Sequence, residues 1–255
     1  MAVSNAFAEP AAAGLTDRGV VREQNEDSIF WLKDAGVYVV ADGMGGHAAG
    51  EVASAMAVDT MKAVASLPVW GKFDAVWKNA RTTMALAGYE IANRDILHAS
   101  MTNPAQRGMG TTMVSAIVYP DHVDVINVGD SRAYRIRDGQ IQQISHDHSL
   151  VQELIDTGKL KTPEEIEAFP YKNIITQAMG TQPTIRPDVF SHPIVPGDIY
   201  LLCSDGLFNE LTDGQIVQIV QTAGGDLQKA SEILVESAKR MGGHDNVTVL
   251  LIAFP

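Results

Sequence analysis

The sequence has 255 residues, of which 45% are hydrophobic and 20% charged, a balance typical of a globular chain that forms one large domain or two small ones. Its 31 acidic and 19 basic residues give a net charge of -12, which argues against nucleic acid and anionic membrane surfaces as partners. The longest apolar run, residues 247–254, is too short to span a membrane, and the N-terminal residues 1–13 lack the basic start and apolar centre of a secretory signal. We therefore expect a cytoplasmic protein, and we favour one domain. The single cysteine excludes an internal disulfide framework and says little else about the compartment.

The first half of the chain predicts a pair of strands followed by two helices. Apolar runs at 28–32 and 37–41 flank a short Asp-Ala-Gly turn, as adjacent antiparallel strands do. Small and apolar residues at 50–66 predict a helix that is buried on more than one side. Apolar residues at helical spacing over 73–91, with Trp77 on the apolar stripe, predict the second helix. Two successive helices argue against a regular βαβ winding.

The second half predicts an antiparallel meander, a long surface segment and a closing strand, and hence an α+β fold with helices packed outside the sheet. Asp138 and Gly139 both tolerate the positive φ of a type I′ hairpin turn. The polar, irregular segment 146–181 reads as a surface excursion of the kind that is often functional. Strands are predicted at 111–119, 122–128, 132–137, 140–144, 198–204 and 247–254, and helices at 150–156, at 216–222 and after Asp226, a suitable N-cap.

Four aspartates follow or precede apolar strands at glycine-containing or tight turns: Asp42, Asp130, Asp205 and Asp245. One such aspartate alone is usually a turn former, but four at strand ends predict convergence on one point. Each close pair of carboxylates then costs on the order of 4 kcal/mol at an effective dielectric constant near 20, and only protons or cations relieve that cost. Oxygen ligands without a cysteine or histidine cluster select Mg²⁺ or Mn²⁺. Two such ions lower the pKa of a shared water, which then attacks an electrophile such as phosphorus.

Arg22 is the residue predicted to hold a phosphate, because a guanidinium stays protonated and can grip two oxygens at once. It lies four residues before Glu26, which with Asp27 precedes the first strand. For Arg18 and Arg132 a structural role is favoured over a role in binding phosphate.

Other phosphate chemistries fit the sequence less well. The glycine-rich turn at 43–50 matches part of a dinucleotide fingerprint, but Asp42 would repel the pyrophosphate and a helix follows where that fold needs a strand. A P-loop is excluded because Glu51 takes the place of its lysine. Cys203 lacks the arginine that a cysteine phosphatase needs six positions later, where Asn209 stands. No motif contains the lysine expected of an aspartyl-phosphate enzyme.

Six motifs, in order along residues 13–254, resemble those of the metal-dependent protein serine/threonine phosphatases of type 2C, most closely the bacterial branch. They are Thr-Asp-Arg-Gly at 16–19 with Arg22 and Glu26-Asp27, Ala-Asp-Gly-Met-Gly-Gly-His at 41–47, Gly-Met-Gly-Thr-Thr at 108–112, Val-Gly-Asp-Ser-Arg at 128–132, Cys-Ser-Asp-Gly-Leu at 203–207 and Gly-His-Asp-Asn-Val-Thr at 243–248. The resemblance implies a four-layer αββα sandwich, with two central, mostly antiparallel β-sheets flanked by helix pairs. It also implies a flexible N-terminus at 1–12 and a catalytic domain at 13–255, with 146–181 as a flap beside the active site.

The resemblance further implies two Mn²⁺ or Mg²⁺ ions and the residues that bind them. Asp42 would bridge both ions, the Gly43 carbonyl would bind one, and Asp205 and Asp245 would bind the other. Asp130 would form a third, weaker site together with Asp205.

Around these ligands, Arg22 would hold the substrate phosphate, while Glu26 and Asp27 would lie at or behind the metal waters. Two positions depart from the family pattern. Animal relatives carry a histidine directly after the Asp-Gly pair, where this chain has Met44, so we expect a metal-bound water, or secondly His47, to act as the general acid. Asn209 replaces an aspartate found in some relatives, and a neutral side chain should weaken the third site.

The implied reaction is single-step hydrolysis of phosphoserine or phosphothreonine by a hydroxide that bridges the metals. The implied partners are phosphoproteins, including a bacterial serine/threonine kinase and its substrates, with no nucleic acid and no membrane, and we expect a monomer. The alternative is a phosphoprotein-binding pseudo-phosphatase of the same fold. Loss of a metal-binding aspartate would indicate that alternative, and all of them are present in this sequence.

Overall fold

Five strands form the first of two antiparallel sheets in the computed structural model, which describes residues 9–45, 49–74 and 76–255. The closing strand lies inside this sheet and is buried along nearly its whole length, as its apolar sequence predicts. It pairs with the first strand and so joins the two ends of the described chain. In spatial order the strands are β1 (Ala11–Asp17), β11 (Val247–Ala253), β10 (Ile199–Cys203), β7 (Arg132–Arg137) and β8 (Gln140–Gln143).

The second sheet contains the predicted first strand pair. Its register places Asp27, at the start of one strand, opposite Asp42, near the end of the next. A two-residue strand extends the far end of that second strand past Asp42. In spatial order the strands are β2 (Asp27–Leu32), β3 (Val37–Met44), β5 (Met113–Val118), β6 (His122–Val128) and β9 (Asp188–Pro193), with β4 (Gly110–Thr111) paired to the end of β3.

Two helix pairs cover the outer faces of the sheets, which confirms the predicted four-layer sandwich. The helices are α1 (Gly50–Ala65), α2 (Ala80–Thr102), α6 (Asp213–Thr222) and α7 (Leu227–Met241). Alternate residues of a strand point to opposite faces, and β3 shows this directly: Val37 and Val39 belong to the core under α1 and α2, whereas Tyr38 and Val40 belong to the core between the sheets. A third core lies under α6 and α7.

The local turn and capping predictions are confirmed. Asp138 and Gly139 have φ of 51° and 76°, as the hairpin between β7 and β8 requires. Asp226 caps α7 by accepting a hydrogen bond of 3.0 Å from the backbone N–H of Lys229.

The predicted start of the second helix is wrong. Helix α2 begins at Ala80, and residues 66–74 and 76–79 form turns instead. Trp77 is 62% exposed, so it does not belong to a buried stripe. Asn79, with φ of 60°, interrupts the helical backbone just before α2. Helical spacing of apolar residues does not by itself distinguish a helix from a run of turns.

Two strands have no counterpart in the sequence prediction. Both β1 and β9 are edge strands of their sheets. Each strand is only partly buried. An edge strand needs no continuous apolar run of the kind that inner strands carry, so the sequence carries no strand signal at these positions. Of the predicted flexible N-terminus 1–12, residues 1–8 lie outside the described chain, whereas Ala11 and Ala12 already pair with β11.

Segment 146–181 is bonded to the sandwich at both of its ends. The backbone N–H of His148 donates to the Gly129 carbonyl at 2.9 Å, and a single β-bridge joins Met179 to Thr111 of β4. A second bridge, between Ser149 and Ile175, joins two parts of the segment itself. Besides the predicted helix α3 (Leu150–Asp156), the segment contains α4 (Pro163–Ala168), which begins with a Thr-x-x-Glu capping box. A four-residue helix, α5 (Asp205–Phe208), follows β10. In the described part of the chain, no helix combines the length and apolar character needed to cross a bilayer.

Candidate metal centre

Five aspartates from the strand ends meet at one end of the sandwich. Asp27 and Asp42 face each other across β2 and β3. Asp130 lies in the connection from β6 to β7, Asp205 follows β10 and Asp245 precedes β11. Removal from water raises the pKa of Asp42 well above its ordinary value, and the charges of the other four aspartates raise it further. The predicted convergence on Asp42 is therefore present in the structure.

The end of β3 is held in place by two threonines from the neighbouring strands. The backbone N–H of Asp42 donates to Thr112 Oγ1 at 3.1 Å, and the backbone N–H of Thr112 donates to the Asp42 carbonyl at 2.9 Å. Thr111 Oγ1 donates to the same carbonyl at 2.8 Å. These bonds fix the backbone that carries the central carboxylate.

Gly43 stands where the end of β3 contacts the start of α1. Its backbone N–H donates to the Glu26 carbonyl at 3.1 Å. A Cβ atom on Gly43 would lie 2.1 Å from the Gly50 carbonyl oxygen and 2.5 Å from that of Glu26. Only glycine fits there, because all the opposing atoms belong to the backbone.

Asp27 joins the two sheets. It is 7% exposed, and its Oδ2 accepts hydrogen bonds from Thr248 Oγ1 of β11 at 2.6 Å and from Ser204 Oγ, directly after β10, at 2.7 Å. Burial raises the pKa of Asp27 to about 7. The two hydrogen bonds lower this pKa, whereas the charges of Asp205 and Asp245 raise it further. Its Oδ1 is buried without a hydrogen-bond partner among the described residues.

Asp205 and Asp130 form the side of the cluster next to segment 146–181. Burial raises the pKa of Asp205 to about 6, and Asp245 adds to the effect. Burial raises the pKa of Asp130 to about 7, and the charges of Asp205 and Asp147 add to the effect. Asn209 Nδ2 donates to Asp205 Oδ2 at 3.1 Å, whereas Asp205 Oδ1 is buried without a hydrogen-bond partner in the described chain.

Arg22 lies at the rim of the cluster. Its Nη2 donates to Asp245 Oδ2 at 2.7 Å, and the two side chains are 50% and 32% exposed. Although burial lowers the pKa of the Arg22 guanidinium, Asp245, Glu26 and Asp42 raise it above its ordinary value. Arg22 therefore remains charged and open to solvent beside the carboxylates.

Asn246 fastens the segment that carries Arg22, a role that the sequence alone did not reveal. Its Oδ1 accepts from the backbone N–H of Glu26 at 2.8 Å, and its Nδ2 donates at 2.9 Å to the carbonyls of Arg18 and Gln24. An asparagine can serve all three because its amide both accepts and donates. Its position directly after Asp245 is the only sequence signal for this role.

Glu51 is a second residue that sequence reasoning missed. It lies in the first turn of α1, and its Oε2 is buried without a hydrogen-bond partner in the described ranges. Burial raises the pKa of Glu26, against the opposing effect of Arg22, and Glu51 raises it further. An acidic residue at a helix N-terminus, directly after the glycine-rich turn, was the available signal.

Arg132 is structural, as the sequence favoured. It donates three hydrogen bonds of 2.7 to 3.1 Å to the buried carboxylate of Asp147. Its guanidinium carbon lies 3.8 Å from the ring centroid of Phe208. Arg18, the other arginine, donates to the Glu23 carbonyl at 3.3 Å.

His47, the predicted alternative general acid, lies outside the described residues. Met44, at the end of β3, has no proton to donate. A cavity of about 170 Å³ separates the carboxylates from segment 146–181. It is lined by Asp130, Arg132, Asp147, Ser149, Val151, Ile166, Lys172, Asn173, Asp205, Phe208 and Asn209.

This donor set fits hard divalent cations. Carboxylate oxygens are the donors that Mg²⁺ and Mn²⁺ prefer, although no three acidic, histidine or cysteine side chains in the described ranges form a ready-made ligand cluster. Bound cations would relieve both the mutual repulsion of the aspartates and the lack of partners at the Oδ1 atoms of Asp27 and Asp205. The metal ligands and the two-metal chemistry expected from the sequence stay a prediction for this site.

The chain is similar to known phosphatases over almost its whole length. A sequence model described as Protein phosphatase 2C matches residues 20–238. The serine/threonine phosphatase stp of Listeria monocytogenes serotype 4b is 38% identical over 250 residues, which cover 93% of each chain. The S. agalactiae serine/threonine phosphatase superposes with a TM-score of 0.87 at 35% identity, covering 96% of this chain and 100% of that one. The catalytic domain of the phosphatase PstP, in complex with two manganese ions, superposes with a TM-score of 0.82 at 33% identity, covering 96% and 97%.

Proposed function

This chain belongs to the protein phosphatase 2C family and is a protein serine/threonine phosphatase, and from that premise we propose which of its residues carry out the hydrolysis. The observation that carries the proposal is the convergence of the strand-end aspartates around Asp42, with the charged guanidinium of Arg22 at their rim. Phosphoserine and phosphothreonine side chains of proteins are the proposed substrates.

The aspartates are the proposed metal ligands. Asp42 would bind two divalent cations, the Gly43 carbonyl one of them, and Asp205 and Asp245 the other. Asp130 would serve a third, weaker site with Asp205, where Asn209 adds no charge. Paired divalent cations supply a water of lowered pKa as the nucleophile for phosphorus. Either Mn²⁺ or Mg²⁺ suits these oxygen donors.

Arg22 is the proposed phosphate-binding residue. One of the five N–H donors of its guanidinium bonds Asp245, which leaves others for the phosphate oxygens. Because the guanidinium stays charged, it also offsets the negative charge that builds on those oxygens during attack. Asp245 would thus orient Arg22 as well as bind a cation.

A covalent route through cysteine does not fit the structure. Cys203 is fully buried in β10, and burial strongly raises the pKa of its thiol. The reactive thiolate is therefore disfavoured. The pseudo-phosphatase alternative is not favoured either, because no aspartate of the predicted site is replaced.

The proposed biological role is to reverse serine/threonine phosphorylation in bacterial signalling. Its counterpart would be a serine/threonine kinase, and the kinase itself and its substrates would be the phosphoproteins acted on. We place this activity in the cytoplasm, where the kinase has ATP, and we expect the phosphatase to act as a monomer.

The proposal is tested with an aryl phosphate, Mn²⁺ and two site variants. We expect turnover with Mn²⁺, its loss on addition of a chelator, and a fall of about 100-fold or more in Asp42→Asn and Asp205→Asn. Asp59→Asn, which changes an exposed aspartate of α1, is the matched control and should keep the rate. Circular dichroism checks that each variant is folded. An undiminished rate in either folded site variant would refute the metal roles.

A further inference from the structure

Residues 18–26 form the loop that connects β1 to β2, and this loop is fastened near both ends beside the carboxylate cluster. The two hydrogen bonds of 2.9 Å from Asn246 Nδ2 reach the Arg18 carbonyl near the start of the loop and the Gln24 carbonyl near its end. One buried amide thus clamps both arms of the loop to the segment that carries Asp245.

The middle of the loop is also held. The backbone N–H groups of Val20 and Val21 both donate to the Gly243 carbonyl, at 2.9 and 3.3 Å. Gly19 has φ of +78°, and a Cβ atom there would lie 2.1 Å from the Asp245 carbonyl oxygen. The loop therefore packs backbone to backbone against its neighbour and has one defined position.

This rigid loop presents two apolar side chains to solvent. Val20 is 59% exposed and Val21 is 61% exposed. Branching at Cβ restricts both to few rotamers, so they form a fixed surface and lose little entropy when covered. The next residue is Arg22, the proposed phosphate-binding group, which remains bonded to Asp245.

A substrate that places its phosphate on Arg22 brings its own chain next to the two valines. Val20 and Val21 lie in the turn directly before Arg22. A peptide in an extended conformation advances about 3.3 Å per residue, so its residues one and two positions from the phosphorylated one stay close to the phosphate site that these valines flank. An acidic residue there would meet the charges of Asp245 and Glu26, whereas an apolar residue would cover exposed valine surface.

We infer that Val20 and Val21 determine substrate specificity by binding an apolar side chain within two positions of the phosphorylated residue. The inference rests on the proposed function and deepens it. The substrate class is a phosphoserine or phosphothreonine segment, extended at the site, with a branched aliphatic or aromatic neighbour.

The experiment compares two phosphothreonine peptides that differ only in carrying isoleucine or glutamine beside the phosphothreonine on both sides. We expect kcat/KM of the wild-type protein to favour the isoleucine peptide about 5-fold, because each half-exposed valine is only partly covered. In the double variant Val20→Thr and Val21→Thr, which keeps shape but adds hydroxyls, the ratio should fall to about 1. The single variants should give intermediate ratios, and they keep the test valid if the double variant is unstable.

Val76→Thr is the matched control. Val76 is 89% exposed and belongs to the turns beside the start of β3, at the opposite end of that strand from Asp42. It should retain the wild-type ratio. No preference in the wild-type protein, or a preference that survives the double substitution, would overturn the inference while turnover of the aryl phosphate still supports the proposed function. Absence of aryl phosphate turnover with Mn²⁺ would overturn both.

Discussion

At the scale of single residues, desolvation and repulsion by the other carboxylates both act on Asp42. Its carboxylate is removed from water and surrounded by four others, so its charged form is disfavoured in the protein without metal. The same arrangement would favour divalent cations at this point, in line with the proposed metal role of Asp42. Asp27 plays a different part, because its hydrogen bonds to Ser204 and Thr248 tie it to the opposite sheet.

Arg22→Ala should raise KM for an aryl phosphate about 10-fold or more and lower kcat less, if the guanidinium binds phosphate equally in the ground and transition states. Arg22→Lys keeps the charge but loses the planar pair of donors, so its KM should lie between those of the wild-type protein and Arg22→Ala. Arg18→Ala is the control on the same loop and should leave KM unchanged. Steady-state kinetics with Mn²⁺ measure these values. A large fall in kcat with KM unchanged would instead show that Arg22 stabilises only the transition state and does not bind the phosphate of the ground state.

At the scale of elements, the site depends on how closely the end of β3 approaches the start of α1. Gly43 and Gly50 make that approach possible, since a Cβ atom at either would meet backbone or carboxylate atoms at under 3 Å. A comparable connection holds segment 146–181, where Arg132 on β7 pairs with buried Asp147 and stacks on Phe208 of α5. Removing one partner of such a pair leaves an uncompensated charge.

Gly43→Ala should lower the free energy of unfolding by about 2 to 4 kcal/mol, because the new methyl group meets backbone oxygens that cannot move independently. Gly214→Ala is the matched control. Gly214 lies in α6 with no atom within 4 Å of a built Cβ, so alanine should raise the free energy of unfolding by about 0.5 to 1 kcal/mol. Urea denaturation of both variants measures the difference. Equal stability of Gly43→Ala and the wild-type protein would contradict the close packing.

At the scale of the whole molecule, both sheets are needed to build the site. Asp27 and Asp42 come from the second sheet, and Asp205 and Asp245 flank strands of the first. Asp130 lies in the connection that crosses from one sheet to the other. The core between the sheets, which includes Tyr38, Tyr200 and Leu250, therefore fixes the distances between carboxylates as well as the stability of the fold.

In the presence of a chelator, stability should fall as pH rises from about 4 to about 7. In the folded protein the pKa values of Asp130 and Asp205 are raised from 3.8 to about 7 and about 6. The folded state therefore holds more protons than the unfolded state in this range, and raising the pH removes stability on the order of 1.4 kcal/mol per pKa unit for each group. Tm by differential scanning fluorimetry should be lower at pH 7.5 than at pH 5.

Two further measurements complete this prediction. Asp205→Asn should reduce the fall in Tm between pH 5 and pH 7.5, because an amide does not titrate. Mn²⁺ should raise Tm at pH 7.5, since it binds the folded cluster and not the dispersed carboxylates of the unfolded chain. A Tm that rises with pH in chelator would contradict the convergence of charges.

The sequence by itself determined the inner strands, the helix pairs and the aspartates at strand ends, because apolar periodicity and turn residues act over short distances along the chain. It did not reveal the edge strands β1 and β9, whose burial depends on one neighbour only. It also placed Trp77 in a helix, although the chain forms turns there.

Only the tertiary structure decided what the site residues do to one another. The ion pair between Arg22 and Asp245 joins positions 223 residues apart, and Asn246 holds a loop more than 220 residues away in sequence. Such contacts follow from the packing of two sheets, which no local pattern encodes. The physical reason is that side-chain type can be read locally, whereas the charge, burial and hydrogen bonding of a side chain depend on what the fold brings beside it.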